Sequence, residues 1–116
     1  MSIPGLPSEA CDQVLAEIQK QTPVQRVVLY GSRALGRYRS GSDVDLCLTA
    51  PAMTLEQLLQ LSAQLDDLLL PWRMDLQLDH LISHEGLRDD IQRTGVCLWQ
   101  RHQNQGITQS SNADLQ

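Results

Sequence analysis

Two aspartates, Asp43 and Asp45, are separated by one residue at the start of an apolar run. Alternate side chains of a strand point to the same face of a sheet, so this spacing would place both carboxylates together. Two adjacent carboxylates repel each other unless a cation lies between them. A hard divalent cation such as Mg2+ prefers oxygen ligands and suits the pair. An N-cap or a solvent-facing pair would use the same residues, and the pair alone does not separate these interpretations.

A Gly-Ser pair precedes the aspartates, with Gly31 twelve residues before Asp43. Glycine lets a backbone approach a phosphate closely, and Ser32 adds a hydroxyl and an N–H group. If a short helix begins here, its N-terminus also favours an anion. A Gly-Ser pair alone is more often a plain turn. A phosphate-binding turn followed by metal-binding carboxylates would together form a nucleotide site.

A third carboxylate, Asp75, lies in the alternating run from Trp72 to Leu78. A polar residue on an amphipathic strand is ordinary, so Asp75 alone indicates little. Asp79 could face the same way, but Asp75 is preferred because a sheet fixes side-chain direction in mid-strand. Three carboxylates around two Mg2+ ions would suit a group-transfer site, in which the ions clamp the attacking and leaving oxygens.

The elements that would position these residues follow from apolar spacing, caps and breakers. The chain predicts, in order, a helix over 8–21 begun by Ser8, a strand over 25–30, a turn over 31–36, a polar loop over 37–42, a strand over 43–49, a helix over 54–70 with a Thr54/Gln57 capping box, a strand over 72–78, a helix capped by Ser83 and closed by Gly95, and a strand over 96–99. This order predicts an α+β fold with a small mixed β-sheet. Helices would pack on one face, and the opposite, open face would carry the aspartates.

The predicted boundaries are an N-terminal arm over 1–7, one domain over 8–99 and a polar, disordered tail over 100–116. The 116 residues leave room for one core only. A formal charge of −5 and the absence of a basic stripe disfavour a long nucleic-acid partner. No apolar stretch approaches the ~20 residues that span a bilayer. Three cysteines without metal-ligand spacing are expected to be free thiols of a cytoplasmic protein.

One long motif joins the turn to the aspartate pair. It reads Gly31-Ser32-Arg33-Ala34-x-Gly36-x-x-Arg39-x-x-Ser42-Asp43-Val44-Asp45-Leu46. This motif resembles the core of the minimal nucleotidyltransferases, within the DNA polymerase β-like superfamily. The segment around Asp75 is similar to the element that carries their third carboxylate. The resemblance spans roughly residues 10 to 99, and one departure is Leu35, where many relatives have a second arginine.

The resemblance implies the polymerase β-like nucleotidyltransferase fold and the transfer of AMP from ATP to a hydroxyl, with release of pyrophosphate. Asp43, Asp45 and Asp75 would bind the metal, as two Mg2+ ions, and Asp75 would help to deprotonate the attacking hydroxyl. The nucleotide would be bound by the residues of the turn and loop, namely Gly31, Ser32, Arg33, Arg39 and Ser42.

The acceptor would come from outside, because the chain is too small to hold an acceptor domain. Minimal nucleotidyltransferases resemble antitoxins paired with a small helical HEPN-domain toxin, which implies AMP transfer to a tyrosine of that partner. There are two alternatives to AMP transfer onto a toxin. One is a non-catalytic antitoxin that acts by binding, and the other is an adenylyltransferase for a small-molecule acceptor. The leucine-rich helix over 54–70 has more leucines than one buried stripe needs, which favours a homo- or hetero-oligomer interface.

Overall fold

A mixed four-stranded sheet organises the chain, of which the computed structural model describes residues 2–102. The elements are α1 (Ser8–Gln19), β1 (Arg26–Tyr30), β2 (Val44–Thr49), α2 (Leu55–Asp66), β3 (Met74–Leu78), a short 3-10 turn (Asp79–Leu81), α3 (Glu85–Thr94) and β4 (Val96–Gln100). The strand order is β3-β2-β1-β4. β1 is antiparallel to β2 and β4, whereas β2 and β3 are parallel and are joined through α2. A parallel pair needs such a crossover, since a tight hairpin can join only antiparallel strands.

The main core lies between one face of the sheet and the helices α1 and α2. β2 contributes Val44, Leu46 and Leu48, each with 0 % of its surface exposed. The strand alternation that separates these residues from Asp45 is therefore as the sequence predicts. Leu58, Leu61 and Leu65 of α2 are buried against this core, while Leu55 and Leu59 remain exposed. The interface predicted for the surplus leucines stays a prediction.

Helix α3 packs on the opposite face of the sheet. Its Ile91 forms a second small cluster with Val28, Cys47 and Ile82. The α+β class and the mixed sheet are confirmed, but the expectation of a fully open second face needs correction. Cys47 is apolar enough to be covered by α3, so α3 covers part of this face, while the part that carries the aspartates is open.

Several element ends differ from the predicted ones by a few residues. Helix α2 ends at Asp66 rather than near residue 70, and Leu69 takes a left-handed backbone conformation with φ of 56°. Pro71 disfavours helical conformation in the residue before it, so the helix unwinds ahead of the proline. The cap of α3 is His84, not Ser83: its imidazole accepts a hydrogen bond from the N–H of Leu87.

Both ends of the described chain are built into the fold. Ile3 and Leu6 are buried in the main core, so the segment predicted as an arm over 1–7 packs against the domain. Gln100 pairs with Arg26. The Arg101 side chain donates hydrogen bonds to the carbonyl of Gln19 at the end of α1 and to carbonyls of the α1–β1 connection. The sheet thus continues past the predicted boundary at residue 99. The rest of the predicted tail, residues 103–116, lies outside the described residues. Over residues 2–102, no helix has both the length and the apolar character for crossing a bilayer.

Candidate active site

Three adjacent strands bring three polar side chains to one face of the sheet. Asp45 in β2 is the register partner of Asp75 in the parallel strand β3. On its other side, Asp45 is the register partner of Tyr30 in β1. Register partners point to the same face and lie one strand spacing apart, about 4.8 Å. The structure therefore brings Asp45 and Asp75 together, as the period-two pattern predicts.

The environment of Asp45 disfavours its charged form. Partial burial raises the pKa of the Asp45 carboxyl, and the negative charges of Asp75 and Asp43 raise it further, while Arg33 and Arg73 act in the opposite direction. Proximity of like charges raises a carboxyl pKa because ionisation of the second group costs Coulomb energy. A bound cation would remove this cost.

Asp43 lies one residue before β2 and contacts Arg73, with its Oδ2 3.5 Å from Nη1. The side chains of Arg73 and Asp43 are 72 % and 43 % exposed, so the pair adds little stability. Within residues 2–102 no three His, Cys, Asp or Glu side chains converge closely enough to hold one ion. The oxygen-only donors and the crowding at Asp45 nevertheless fit a hard divalent cation, provided that Asp43 turns from Arg73 towards Asp45.

Asp79, the competing third carboxylate, lies beyond the end of β3 in the 3-10 turn. Its carboxylate is 3.9 Å from Arg88, and it raises the pKa of Cys47 rather than that of Asp45. The preference for Asp75 is consistent with this placement.

Two residues of the site were missed by sequence reasoning. Tyr30 is half-buried beside the carboxylates, and its pKa is raised by burial and by the charges of Asp45 and Asp75. Arg73 is the cation nearest to Asp43 in the ion pair described above. The sequence shows that Tyr30 precedes the Gly-Ser turn and that Arg73 precedes the Asp75 strand. Only the strand register shows that Tyr30 adjoins Asp45, and only the ion pair shows that Arg73 adjoins Asp43.

The Gly31 turn is packed directly against Asp45. Gly31 has φ of 76°, and a Cβ atom at this position would collide with Oδ2 of Asp45. The turn is closed by hydrogen bonds from the Leu35 N–H to the Gly31 carbonyl (3.1 Å) and from the Arg37 N–H to the Ser32 carbonyl (2.8 Å). It is a turn and not a helix, so the helix-terminus argument for anion binding does not apply. Glycine here allows both the left-handed conformation and the close approach.

The other predicted nucleotide contacts are placed differently. The Arg33 side chain is 1 % exposed, and its guanidinium donates to backbone carbonyls, so it does not face the open site. Arg39 is exposed, and its backbone N–H donates to the hydroxyl of Ser42 at 2.8 Å. Ser42 thereby shapes the loop that leads into Asp43.

A cavity of about 340 Å3 adjoins the site between the Gly31 turn and α3. It is lined by Tyr30, Gly31, Leu35, Leu87, Asp90, Arg93 and Thr94. Leu35, the position that departs from the family motif, is 46 % exposed. An apolar side chain therefore lies where an arginine would have added a positive charge next to the turn.

Residues 12–104 match the protein family described as "Polymerase beta, Nucleotidyltransferase". This chain belongs to the polymerase β nucleotidyltransferase family, as the motif predicts. No curated protein matches the chain.

Solved structures share the fold. One chain of a toxin–antitoxin crystal structure with AMP-PNP is 22 % identical, with a TM-score of 0.65 over 85 % of this chain and 77 % of that one. A second, in a complex of a tri-AMPylated Shewanella oneidensis HEPN toxin with an MNT antitoxin, is 18 % identical, with a TM-score of 0.63 over 81 % and 72 %. A putative nucleotidyltransferase from Sulfolobus solfataricus is 21 % identical, with a TM-score of 0.54 over 80 % and 79 %.

Proposed function

We propose that this chain is a Mg2+-dependent adenylyltransferase that moves AMP from ATP to a tyrosine of a partner HEPN toxin, and so acts as its antitoxin. The observation that carries the proposal is the register pairing of Asp45 with Asp75, directly against the Gly31 turn. Family membership supports nucleotidyl transfer. Two chains of the same fold support a toxin as the partner. One belongs to a toxin–antitoxin structure with AMP-PNP, and the other accompanies an AMPylated HEPN toxin.

Each residue would have a defined part. Asp43, Asp45 and Asp75 would hold two Mg2+ ions, which supply neutralisation of phosphate charge. The acceptor oxygen would bond to the α-phosphorus of ATP as the bond to the pyrophosphate oxygen breaks. Asp75 would take the proton of the acceptor hydroxyl, because its register pairing within β3 fixes the direction of its side chain. Backbone N–H groups of the turn at Gly31 and Ser32, and the exposed Arg39, would bind the terminal phosphates.

The test is the mass of the partner. The chain is incubated with ATP, Mg2+ and its partner HEPN protein, and the mass of that protein is then measured. Gains in whole AMP units are expected. No gain with the wild-type chain would refute the proposal, provided that the protein is folded and binds its partner.

Matched variants locate the chemistry. Asp75→Asn should abolish the mass gain, whereas Asp79→Asn should retain it, since Asp79 pairs with Arg88 beyond the strand. The reverse result would move the third carboxylate to Asp79. The double variant Asp43→Asn/Asp45→Asn should lose transfer and retain partner binding.

A non-catalytic antitoxin is the second candidate. It is favoured by the contact of Asp43 with Arg73 and by the lack, in the described chain, of three converging ligand side chains. If the double variant still protects cells from the partner, binding alone neutralises the toxin. If protection is lost while binding is retained, catalysis is required.

A further inference from the structure

Arg33 is the one charged or polar side chain that is fully buried among residues 2–102, with 1 % of its surface exposed. A buried charge is costly unless hydrogen bonds replace its lost hydration. The hydrogen-bond partners of Arg33 therefore indicate its structural role.

The guanidinium of Arg33 binds backbone carbonyls on two separate segments. Its Nη1 donates to Pro4 at 2.7 Å, and its Nη2 donates to Ser42 at 2.7 Å. A second bond from Nε to Ser42 at 3.3 Å makes that contact bidentate. The guanidinium also stacks on the ring of Tyr38, 4.8 Å from the centroid. Only the rigid fork of arginine can bond to two segments in this way.

The N-terminal segment is shaped around this side chain. Gly5 has φ of 87°, and a Cβ atom there would lie 2.6 Å from both Nη1 of Arg33 and the ring of Tyr38. Ile3, which precedes Pro4, is buried in the core, and its N–H donates to the sulfur of Cys11 at 3.3 Å. The Pro4 carbonyl is thus fixed to the body of the domain, which makes it a firm anchor.

The other carbonyl, that of Ser42, belongs to the peptide that enters Asp43. The loop is tied further by the indole of Trp72, which donates to the Ser40 carbonyl at 3.2 Å, and by the Ser42 N–H, which donates to the Arg39 carbonyl at 3.0 Å. A shift of the Ser42 peptide would move Asp43, because the two residues share it.

We propose that Arg33 is a positioning residue, which clamps the loop before Asp43 to the N-terminal segment and so sets the direction of the carboxylates at the head of β2. The proposal rests on the proposed function for its kinetic readout, but its structural readout does not. Misplacement of a reacting group by 1 Å can cost about a hundredfold in rate. A clamp of this kind therefore affects turnover without contact to substrate.

The matched pair of variants is Arg33→Lys and Arg37→Lys. Lysine keeps the charge at 33 but cannot bond to Pro4 and Ser42 together. Arg37 lies in the same loop, is exposed, and within residues 2–102 its side chain has no hydrogen bond. The first measurement is hydrogen exchange at the amides of Arg39 and Ser42, both of which donate within the loop. We expect these two amides to exchange faster in R33K than in the wild type, and at the wild-type rate in R37K, when the proteins are compared at equal overall stability.

The second measurement is AMP transfer. R33K should lose about tenfold to a hundredfold in kcat with the KM for ATP within about twofold, whereas a phosphate contact would raise that KM. R37K should match the wild type. If hydrogen exchange in the loop is unchanged in R33K, the proposal is overturned, whether or not the wild-type chain transfers AMP. If the wild type is active, a change in the KM for ATP without a change in kcat would also overturn it. If R33K does not fold, Tyr38→Leu, which removes only the stacked ring, should show faster loop exchange, and normal exchange would again contradict the clamp.

Discussion

Asp45 and Asp75 are direct register partners across the parallel pair of β2 and β3, so two carboxylates face each other one strand spacing apart. Neither carboxylate has a hydrogen bond or ion pair within residues 2–102 that would offset their repulsion. Like charges placed directly opposite each other destabilise a sheet. The fold therefore holds an arrangement that weakens it at neutral pH, which is typical of sites selected for activity rather than stability.

Asp45→Asn should make the protein more stable at pH 7. The pKa of Asp45 is raised in the folded state by burial, Asp75 and Asp43, so the folded protein holds this proton more tightly than the unfolded chain does. Stability from such a group is full below the unfolded pKa and falls as pH rises through the folded pKa. Asparagine removes that fall. Urea unfolding at pH 4 and pH 7 should show a larger gain from the variant at pH 7.

With Mg2+ present at pH 7, the wild type should become more stable than Asp45→Asn. A cation that binds only the folded state raises its stability by mass action. If the carboxylates hold Mg2+, the ion should raise the Tm of the wild type and have little effect on Asp45→Asn. A Mg2+-dependent gain of the same size in both proteins would show that the ion binds elsewhere.

Gly31→Ala should be more harmful than Gly36→Ala. Both glycines have positive φ, 76° and 72°, so both substitutions share the left-handed penalty of about 1 kcal/mol. A Cβ atom at 31 would also collide with the Asp45 carboxylate, whereas nothing lies within 4 Å of one at 36. We expect Gly31→Ala to lose AMP transfer and more than about 1 kcal/mol of unfolding free energy.

Gly36→Ala serves as the control for strain without collision. It should retain AMP transfer and unfold as a folded, slightly weakened protein in a urea titration. Equal losses of stability and activity in the two variants would mean that the approach of Gly31 to Asp45 has no importance beyond its backbone conformation.

The sequence predicted best what depends on local periodicity. The alternation around Asp45 and Asp75 specifies their common face, because a period of two leaves only one set of residues for the core. It could not predict the burial of Arg33, since that depends on the Pro4 carbonyl, twenty-nine residues away. The placement of α3 on the second face was missed for a similar reason: Ile91 gives that helix only a narrow apolar side, and this side does not specify which face of the sheet it covers.

Cys97 should react with thiol reagents in the native state before the other two cysteines. Cys11 and Cys47 are buried, with 1 % and 2 % of their surfaces exposed, whereas Cys97 is half-buried in β4. Burial, the first cause, and the charge of Asp79 raise the pKa of Cys47 to about 11, so its reactive thiolate is scarce at pH 8. Labelling with iodoacetamide and peptide mass mapping should find Cys97 alone, and Cys97→Ser should abolish rapid labelling. Fast modification of Cys47 would contradict its cover by α3.

His84→Ala should destabilise the protein, and Ser83→Ala should not. The imidazole Nδ1 of His84 accepts from the Leu87 N–H at 3.0 Å, which satisfies one of the free donors of the first turn of α3. Loss of an N-cap acceptor costs about 1 kcal/mol. Ser83 is exposed and precedes the cap, so its hydroxyl has no such role in the structure. Urea denaturation of both variants measures the difference, with His84→Asp as the variant that should restore the cap. A larger loss from Ser83→Ala would return the cap to the residue that the sequence pattern predicts.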